Sequence, residues 1–276
     1  MNILQVEFKN RSGHTLRGVV TLPDIEGPVP FVVHLHGFGG SCSGYKSMYT
    51  HMSRALAKQG IGSVRFSFYG NGESDGEFED MSFDGLYEDT EDIFAWAAKQ
   101  PYVDAEKIFL SGQSMGGYIA ASCGPKIQPY GLILLCPGAG MWFGCAQKAD
   151  AVMQTGKDYA DVEGLCYKMS FNYEMAKHPD PFTEATGFNG PVLLVRAADD
   201  KLVDDKTLKS YAKVYQNAQC HTLEKGGHNF ASLPARAEVE EVVASLKQGE
   251  NLIAAYCHNR GANGLLDFGL LIELDN

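Results

Sequence analysis

Short runs of β-branched and other apolar residues alternate along this chain with longer stretches of helical spacing, and the alternation predicts a mostly parallel sheet covered by helices. Residues 3–8 and 16–22 read as two strands joined by a turn at 10–13. Further strands are expected at 31–35, 62–68, 107–111, 131–135 and 192–197, with a short one at 221–223. The runs at 31–35, 131–135 and 192–197 are apolar apart from His34 and Arg196, as expected of strands buried on both faces. Helical spacing covers 48–59, stopping at Gly60, and 83–99, with Ser82 placed to cap its start and Pro101 just past its end. Helices are also expected at 115–122, 206–215 and 235–247.

Two stretches break the rhythm. Residues 137–189, rich in Met and aromatic side chains, form a long excursion between neighbouring strands, and a connection that long inside an α/β domain reads as a functional lid. Residues 249–276 follow the last helix, and no pattern places them. The expected organisation is one α/β domain over 1–248, containing the insertion at about 137–189, and a C-terminal tail over 249–276.

Bulk composition narrows the function classes. A chain of 276 residues with 45% hydrophobic content suffices for one large α/β core. Its formal charge of −11 disfavours nucleic acid, because nothing is gained from phosphate neutralisation. Polar residues interrupt the first nine positions, so no signal-peptide core is visible there, and no run reaches the roughly 18 apolar residues of a membrane span. The seven cysteines are odd in number and scattered, without a Cys-x-x-Cys pair. They read as free thiols in a reducing cytoplasm and suggest no zinc site. The expected location is therefore cytoplasmic, with no membrane and no nucleic-acid partner.

Three segments match Gly-x-Ser-x-Gly or its Cys variant: Gly40 to Gly44, Gly72 to Gly76 and Gly112 to Gly116. Context separates them. A nucleophile elbow needs a buried strand entering a sharp turn and a helix leaving it, with small flanking residues that leave the serine oxygen clear. Only Ser114 has Ile108-Phe109-Leu110 before it and Gly116-Gly117-Tyr118-Ile119 after it. Ser74 lies in an acidic turn, and Cys42 in a loop without that arrangement. A serine hydroxyl is a weak nucleophile until a base takes its proton. The fold that uses this elbow orders its triad Ser, acid, His, so a late histidine is needed. His228, in Gly226-Gly227-His228-Asn229-Phe230, fits best; His178, His221 and His258 read as ordinary surface or core residues. The acid should follow the strand at 192–197, where Asp199 and Asp200 both stand. Asp200 is preferred because Leu202-Val203 can anchor the turn, with Asp199 the open alternative. Oxyanion donors are expected from the backbone N–H groups of Met115 and of Phe38, the latter in the loop His36-Gly37-Phe38-Gly39-Gly40. Gly70-Asn71-Gly72 is not a dinucleotide loop, since acidic residues follow it and no helix opens there.

With these motifs in order, the chain resembles the α/β-hydrolase superfamily from about residue 4 to 247, and within it the bacterial cinnamoyl/feruloyl esterases. The segments His36 to Gly40, Tyr69 to Phe78, Gly112 to Gly117 and Gly227-His228 carry the resemblance. It departs at Ala197, where the family often has Gly, and at Asp204, where it commonly has Pro. The resemblance implies an α/β-hydrolase fold with a lid after the sixth strand and a cofactor-free esterase cleaving hydroxycinnamoyl esters through an acyl-enzyme. Its partner would be a small ester. Trp142, Tyr159, Tyr167 and Tyr173 are the lid candidates for substrate contact, with Phe143 and Phe171 beside them, although these aromatics would equally suit the lid's own small core. The tail is a candidate contact for self-association. A monoacylglycerol-lipase-like or other acyl hydrolase stays open, and so does a non-catalytic binding module.

Overall fold

In a computed structural model that describes residues 1–244, the apolar runs become the strands β1 (Asn2–Lys9), β2 (Thr15–Leu22), β3 (Val29–Leu35), β4 (Gly62–Phe66), β5 (Val103–Gln113), β6 (Gly131–Leu135), β7 (Tyr159–Val162), β8 (Leu165–Lys168), β9 (Val192–Ala197) and β10 (Ala218–Leu223). The helices are α1 (Met48–Lys58), α2 (Phe83–Ala98), α3 (Met115–Ile127), α4 (Cys145–Met153), α5 (Ser170–Met175), α6 (Pro181–Glu184), α7 (Asp205–Val214) and α8 (Leu233–Ala244). The tail expected at 249–276, the last turn of the helix expected to reach 247, and His258 lie outside the described residues.

Eight strands form one sheet in the order β1-β2-β4-β3-β5-β6-β9-β10; β7 and β8 make a separate hairpin. The β1–β2 and β2–β4 pairs are antiparallel, and every pair from β4 to β10 is parallel. Side chains alternate across such a sheet with period two. Phe31, Val33 and Leu35 therefore join one core with Leu132, Leu134, Val192 and Leu194, while Val32, Ile133, Leu135, Leu193 and Val195 join a second on the opposite face. Residues of α2, α3 and α7 cover the first face, among them Phe83, Tyr118 and Tyr211. Residues of α1 and α8, such as Met52, Leu56 and Val239, cover the second. Continuous apolar strands are thus the expected outcome of a sheet with helices on both sides.

Some boundaries move from expectation, each for a local reason. The strand expected at 62–68 ends at Phe66: Ser67 keeps a last bond to the facing Arg17 carbonyl (3.0 Å), and the Phe68 N–H leaves the sheet for His36 Nε2 (3.0 Å). The strand expected at 107–111 starts at Val103, which pairs with Val29 before the register shifts. The helix expected to end at 122 continues through Gly124 and Pro125 to Ile127. Low propensity there is overridden by packing on the sheet, where Gly124 fits against Leu132. Gln128, at φ 51°, closes the helix by donating to the Gly124 carbonyl (2.8 Å).

Every chemically interesting loop leaves the carboxyl end of a parallel strand, where open α/β sheets bind ligands. The long excursion leaves after β6 and returns to β9, its neighbour in the sheet, with Leu132 opposite Val192. It contains α4, the β7–β8 hairpin, α5 and α6.

Candidate active site

The strand–turn–helix at Ser114 is built by close approach. Ser114 sits at φ 53° and ψ −117°, a conformation that costs a non-glycine residue about 1–3 kcal/mol and persists only where its surroundings impose it. The Ser114 N–H donates to the Leu135 carbonyl (3.0 Å), and its own carbonyl accepts from Tyr118 (3.0 Å) and Gly138 (2.8 Å). A Cβ at Gly112 would overlap the Gly116 backbone, and one at Gly116 would overlap the carbonyls of Leu35 and His36. Gly116→Ala is accordingly expected to lower the melting temperature by roughly 5–10 °C, as overpacking against rigid backbone does; thermal unfolding followed by circular dichroism checks this.

The turn aims Ser114 Oγ at His228. His228 Nε2 lies 2.8 Å from Ser114 Oγ, and its Nδ1 lies 2.9 Å from Asp200 Oδ2. The other Asp200 oxygen accepts from the N–H groups of Leu202 (2.8 Å) and Val203 (3.1 Å). The Asp200 side chain has no exposure to solvent. Burial alone would raise its carboxyl pKa, but the bond to His228 and the two backbone donors outweigh it and hold the group below the usual carboxylate range. Asp199 does something else. Its Oδ1 accepts from the N–H groups of Gly226 (2.9 Å) and Gly227 (2.8 Å), fastening the loop that carries His228. Gly227, at φ 60°, lets that loop bend back toward the sheet edge.

The loop after β3 closes the site from the other side. A Cβ at Gly37 would come within 3.3 Å of Ser114 Cβ, so the loop backbone lies directly against Ser114. His36 fixes it. Its Nε2 accepts from the Phe68 N–H, which leaves Nδ1 to donate to the Gly37 carbonyl (2.8 Å). Burial pushes the His36 pKa down to about 4, so the ring is neutral wherever the protein works near neutral pH. Met115 is the first residue of α3, and its N–H has no intrahelical acceptor. The Phe38 ring packs edge-on against Phe78 (5.1 Å), Tyr167 (5.1 Å) and Phe171 (5.7 Å).

Of the aromatic candidates in the insertion, the structure brings Tyr167 and Phe171 to this loop, through Phe38. Tyr173 is turned to α4, where its hydroxyl donates to Asp150 (2.7 Å). Tyr159 is exposed on β7. The Trp142 Nε1–H donates to the His178 carbonyl (3.1 Å). The remaining motif residues are structural. Ser74 Oγ donates to the Ser67 carbonyl (2.7 Å) and accepts from the Arg17 N–H (2.9 Å). The Cys42 N–H donates to Ser67 Oγ (3.1 Å). His221 pairs with Glu238 (2.8 Å).

His178 joins the insertion to the body of the domain. Its Nδ1 meets Glu184 (2.9 Å), its Nε2 meets Asp84 on α2 (2.8 Å), and its ring stacks on Tyr87. The Glu184 bond raises its pKa; burial opposes this, and Asp84 adds to the rise. A pKa raised on folding contributes stability that is fully present below the ordinary imidazole value of about 6.5 and lost as pH climbs through the raised value. Thermal stability is therefore expected to fall as pH rises above the ordinary imidazole value, and His178→Gln to flatten that slope.

Among the described residues, Cys136, Asp200 and His228 form the one group with metal-ligand chemistry, their atoms within 4.8 Å of one another. Two of the three belong to the Ser–His–Asp chain, and the Cys136 thiol donates to the His228 carbonyl (3.3 Å). Sequence reading missed this thiol, and also Gln113 and Tyr49 beside it, because none carries a motif of its own.

Residues 27–159 match the family model described as serine aminopeptidase, S33. Over 90 residues the chain is 37% identical to the multifunctional-autoprocessing repeats-in-toxin of Vibrio cholerae, which covers 33% of this chain and 2% of the toxin. The chain thus spans a very small part of that relative. Est1E from Butyrivibrio proteoclasticus, in a structure with ferulic acid bound, superposes with a TM-score of 0.77 at 21% identity, covering 87% of this chain and 96% of that one. The esterase domain of a Rhodothermus marinus protein gives 0.67 at 21% identity, covering 88% and 97%.

Proposed function

We propose that this chain is an α/β-hydrolase of the serine carboxylesterase type acting on small esters, with hydroxycinnamoyl (feruloyl-type) esters as its substrate class; the family-model match and the shared fold support the reading. The observation that carries the proposal is the continuous contact from Asp200 through His228 to Ser114 Oγ at the carboxyl ends of three parallel strands. Such a line makes a hydroxyl nucleophilic: His228 takes the Ser114 proton as Oγ attacks the ester carbonyl, and Asp200 holds the imidazole and stabilises its cation. The N–H groups of Phe38 and Met115 receive the developing oxyanion, each worth about 3 kcal/mol of barrier. His228 then protonates the departing alcohol, and water repeats the cycle to free the acid. The reaction as written draws on protein groups and water alone.

The acyl class rests on two supports. The neighbouring fold Est1E holds ferulic acid. Here the oxyanion loop's Phe38 adjoins Phe78, Tyr167 and Phe171, an aromatic wall suited to a planar aryl acyl group. On this reading residues 137–189 act as the lid. The match to the serine aminopeptidase model keeps amide and other acyl substrates as the second reading. Initial rates on methyl ferulate, methyl p-coumarate, p-nitrophenyl butyrate, a long-chain monoacylglycerol and an aminoacyl p-nitroanilide decide between them. Preference for the two hydroxycinnamates is expected. Preference for the long acyl chain or the anilide retires the aryl assignment, and inactivity on all five retires the esterase reading.

A further inference from the structure

We infer that Gln113, oriented by Tyr49, is a positioning residue that ties the backbone of the base to that of the nucleophile. The inference rests on the serine-hydrolase reading above and extends it to two residues outside the triad. Gln113 is the last residue of β5 and directly precedes Ser114. Its side chain is buried, and its Nε2 donates to the His228 carbonyl (3.0 Å) and to Asn229 Oδ1 (3.3 Å). The Tyr49 hydroxyl, from α1, donates to Gln113 Oε1 (2.6 Å). One side chain therefore spans from the elbow to the carbonyl of the histidine whose ring must meet the elbow's serine.

The amide can stand in one orientation only. Reversing it would set Gln113 Oε1 against the His228 carbonyl oxygen, two acceptors facing each other in a buried site. Tyr49 selects the productive orientation by donating to the oxygen. Tyr49 is itself buried, and its ring packs against His34 (4.2 Å), which bonds Ser111 on β5 (2.7 Å). The groups facing the Gln113 amide are the Tyr49 hydroxyl, the His228 carbonyl, Asn229 and the Cys136 thiol, which shares the His228 carbonyl; Asp200 bonds His228 Nδ1, within 4.8 Å of that thiol. The histidine loop is thus clamped twice, by Asp199 at Gly226 and Gly227 and by Gln113 at His228 and Asn229. The second clamp determines where the imidazole stands relative to Ser114 Oγ. A displacement of about 1 Å in such a pair can lower a rate about a hundredfold.

Gln113→Ala is expected to lower kcat about 10- to 100-fold with KM changed less than about twofold, because the loss falls on a proton transfer and not on ground-state binding. Tyr49→Phe keeps the ring in its packing and should lower kcat about threefold to tenfold. Gln113→Glu supplies a sharper signature. Its protonated carboxyl can still donate to the His228 carbonyl, and its ionised form cannot, so its rate relative to wild type should fall as pH rises. Hydrogen exchange of the peptide spanning residues 224–232 provides the arm independent of turnover: exchange is expected to quicken in Gln113→Ala and Tyr49→Phe while the rest of the sheet keeps its protection. Unchanged exchange overturns the inference whatever the activity. Faster exchange with undiminished kcat overturns the positioning role. A wild type that neither hydrolyses esters nor reacts at Ser114 with a phosphonate sinks the esterase reading instead, and the exchange arm still decides whether Gln113 holds the loop. If Gln113→Ala fails to fold, Tyr49→Phe carries both arms.

Discussion

Ser114→Ala is expected to reduce ester hydrolysis about a millionfold in kcat, to the level supported by binding and the oxyanion donors alone. The magnitude follows from the arrangement: His228 Nε2 has Ser114 Oγ as its partner, and removing the oxygen leaves the base with no nucleophile to activate. His228→Ala should cost nearly as much, and the double variant little more than either, because groups that act as one unit are not additive. The measurement is single-turnover hydrolysis together with intact-mass detection of a phosphonate adduct. Wild type should gain one adduct and Ser114→Ala none. An adduct that persists in Ser114→Ala would place the nucleophile elsewhere, with Ser74 and Cys42 the residues to test next.

The second large effect separates two adjacent carboxylates. Asp200→Asn replaces an acceptor at His228 Nδ1 with an amide that can present N–H instead, which favours the wrong imidazole tautomer; a fall in kcat of about ten-thousandfold is expected. Asp199→Asn keeps a carbonyl oxygen able to accept from Gly226 and Gly227, so a loss within about tenfold is expected. Comparable losses in the two variants would remove the distinction. Acid should act on Asp200 through stability as well as rate. Its pKa is depressed on folding, so the stability it contributes is present above the unfolded carboxylate value of about 4 and lost as pH falls through the depressed value.

Much of this architecture was legible in the chain because it is local. The mostly apolar runs at Gly131–Leu135 and Val192–Ala197 became buried strands with the expected limits. The elbow was readable because a strand, a glycine-flanked serine and a small-residue helix are contiguous in sequence. Ser114, His228 and Asp200 were then found by order along the chain, and the structure brings all three together. Sequence preferred Asp200 through the Leu202-Val203 anchor but left Asp199 open, because the two differ in which way each side chain points at the end of β9. The Gln113–Tyr49 contact was equally hidden. It joins residues 64 positions apart, and no periodicity or spacing encodes a hydrogen bond between buried polar side chains. The aromatic candidates of the insertion illustrate the same limit. Tyr167 and Tyr173 are the same residue type and six residues apart, yet one packs on Phe38 and the other bonds Asp150.

The attachment of the insertion to two adjacent strands has a consequence for how such a protein can change its diet. The proposed nucleophile, acid and base all lie outside residues 139–190, on loops held by the sheet, and the insertion begins and ends on strands that remain paired whatever it contains. Closing a loop of twice the length costs only about 0.6 kcal/mol more. Segments of different size and lining can therefore be exchanged between β6 and β9 while the bond-breaking apparatus is inherited intact. On the proposed reading the insertion carries Tyr167 and Phe171 of the aromatic wall while Phe38, Phe78 and the triad stay outside it, so a library grafted at Gly138 and Asn189 would vary part of the ester preference while holding the cleaving groups fixed.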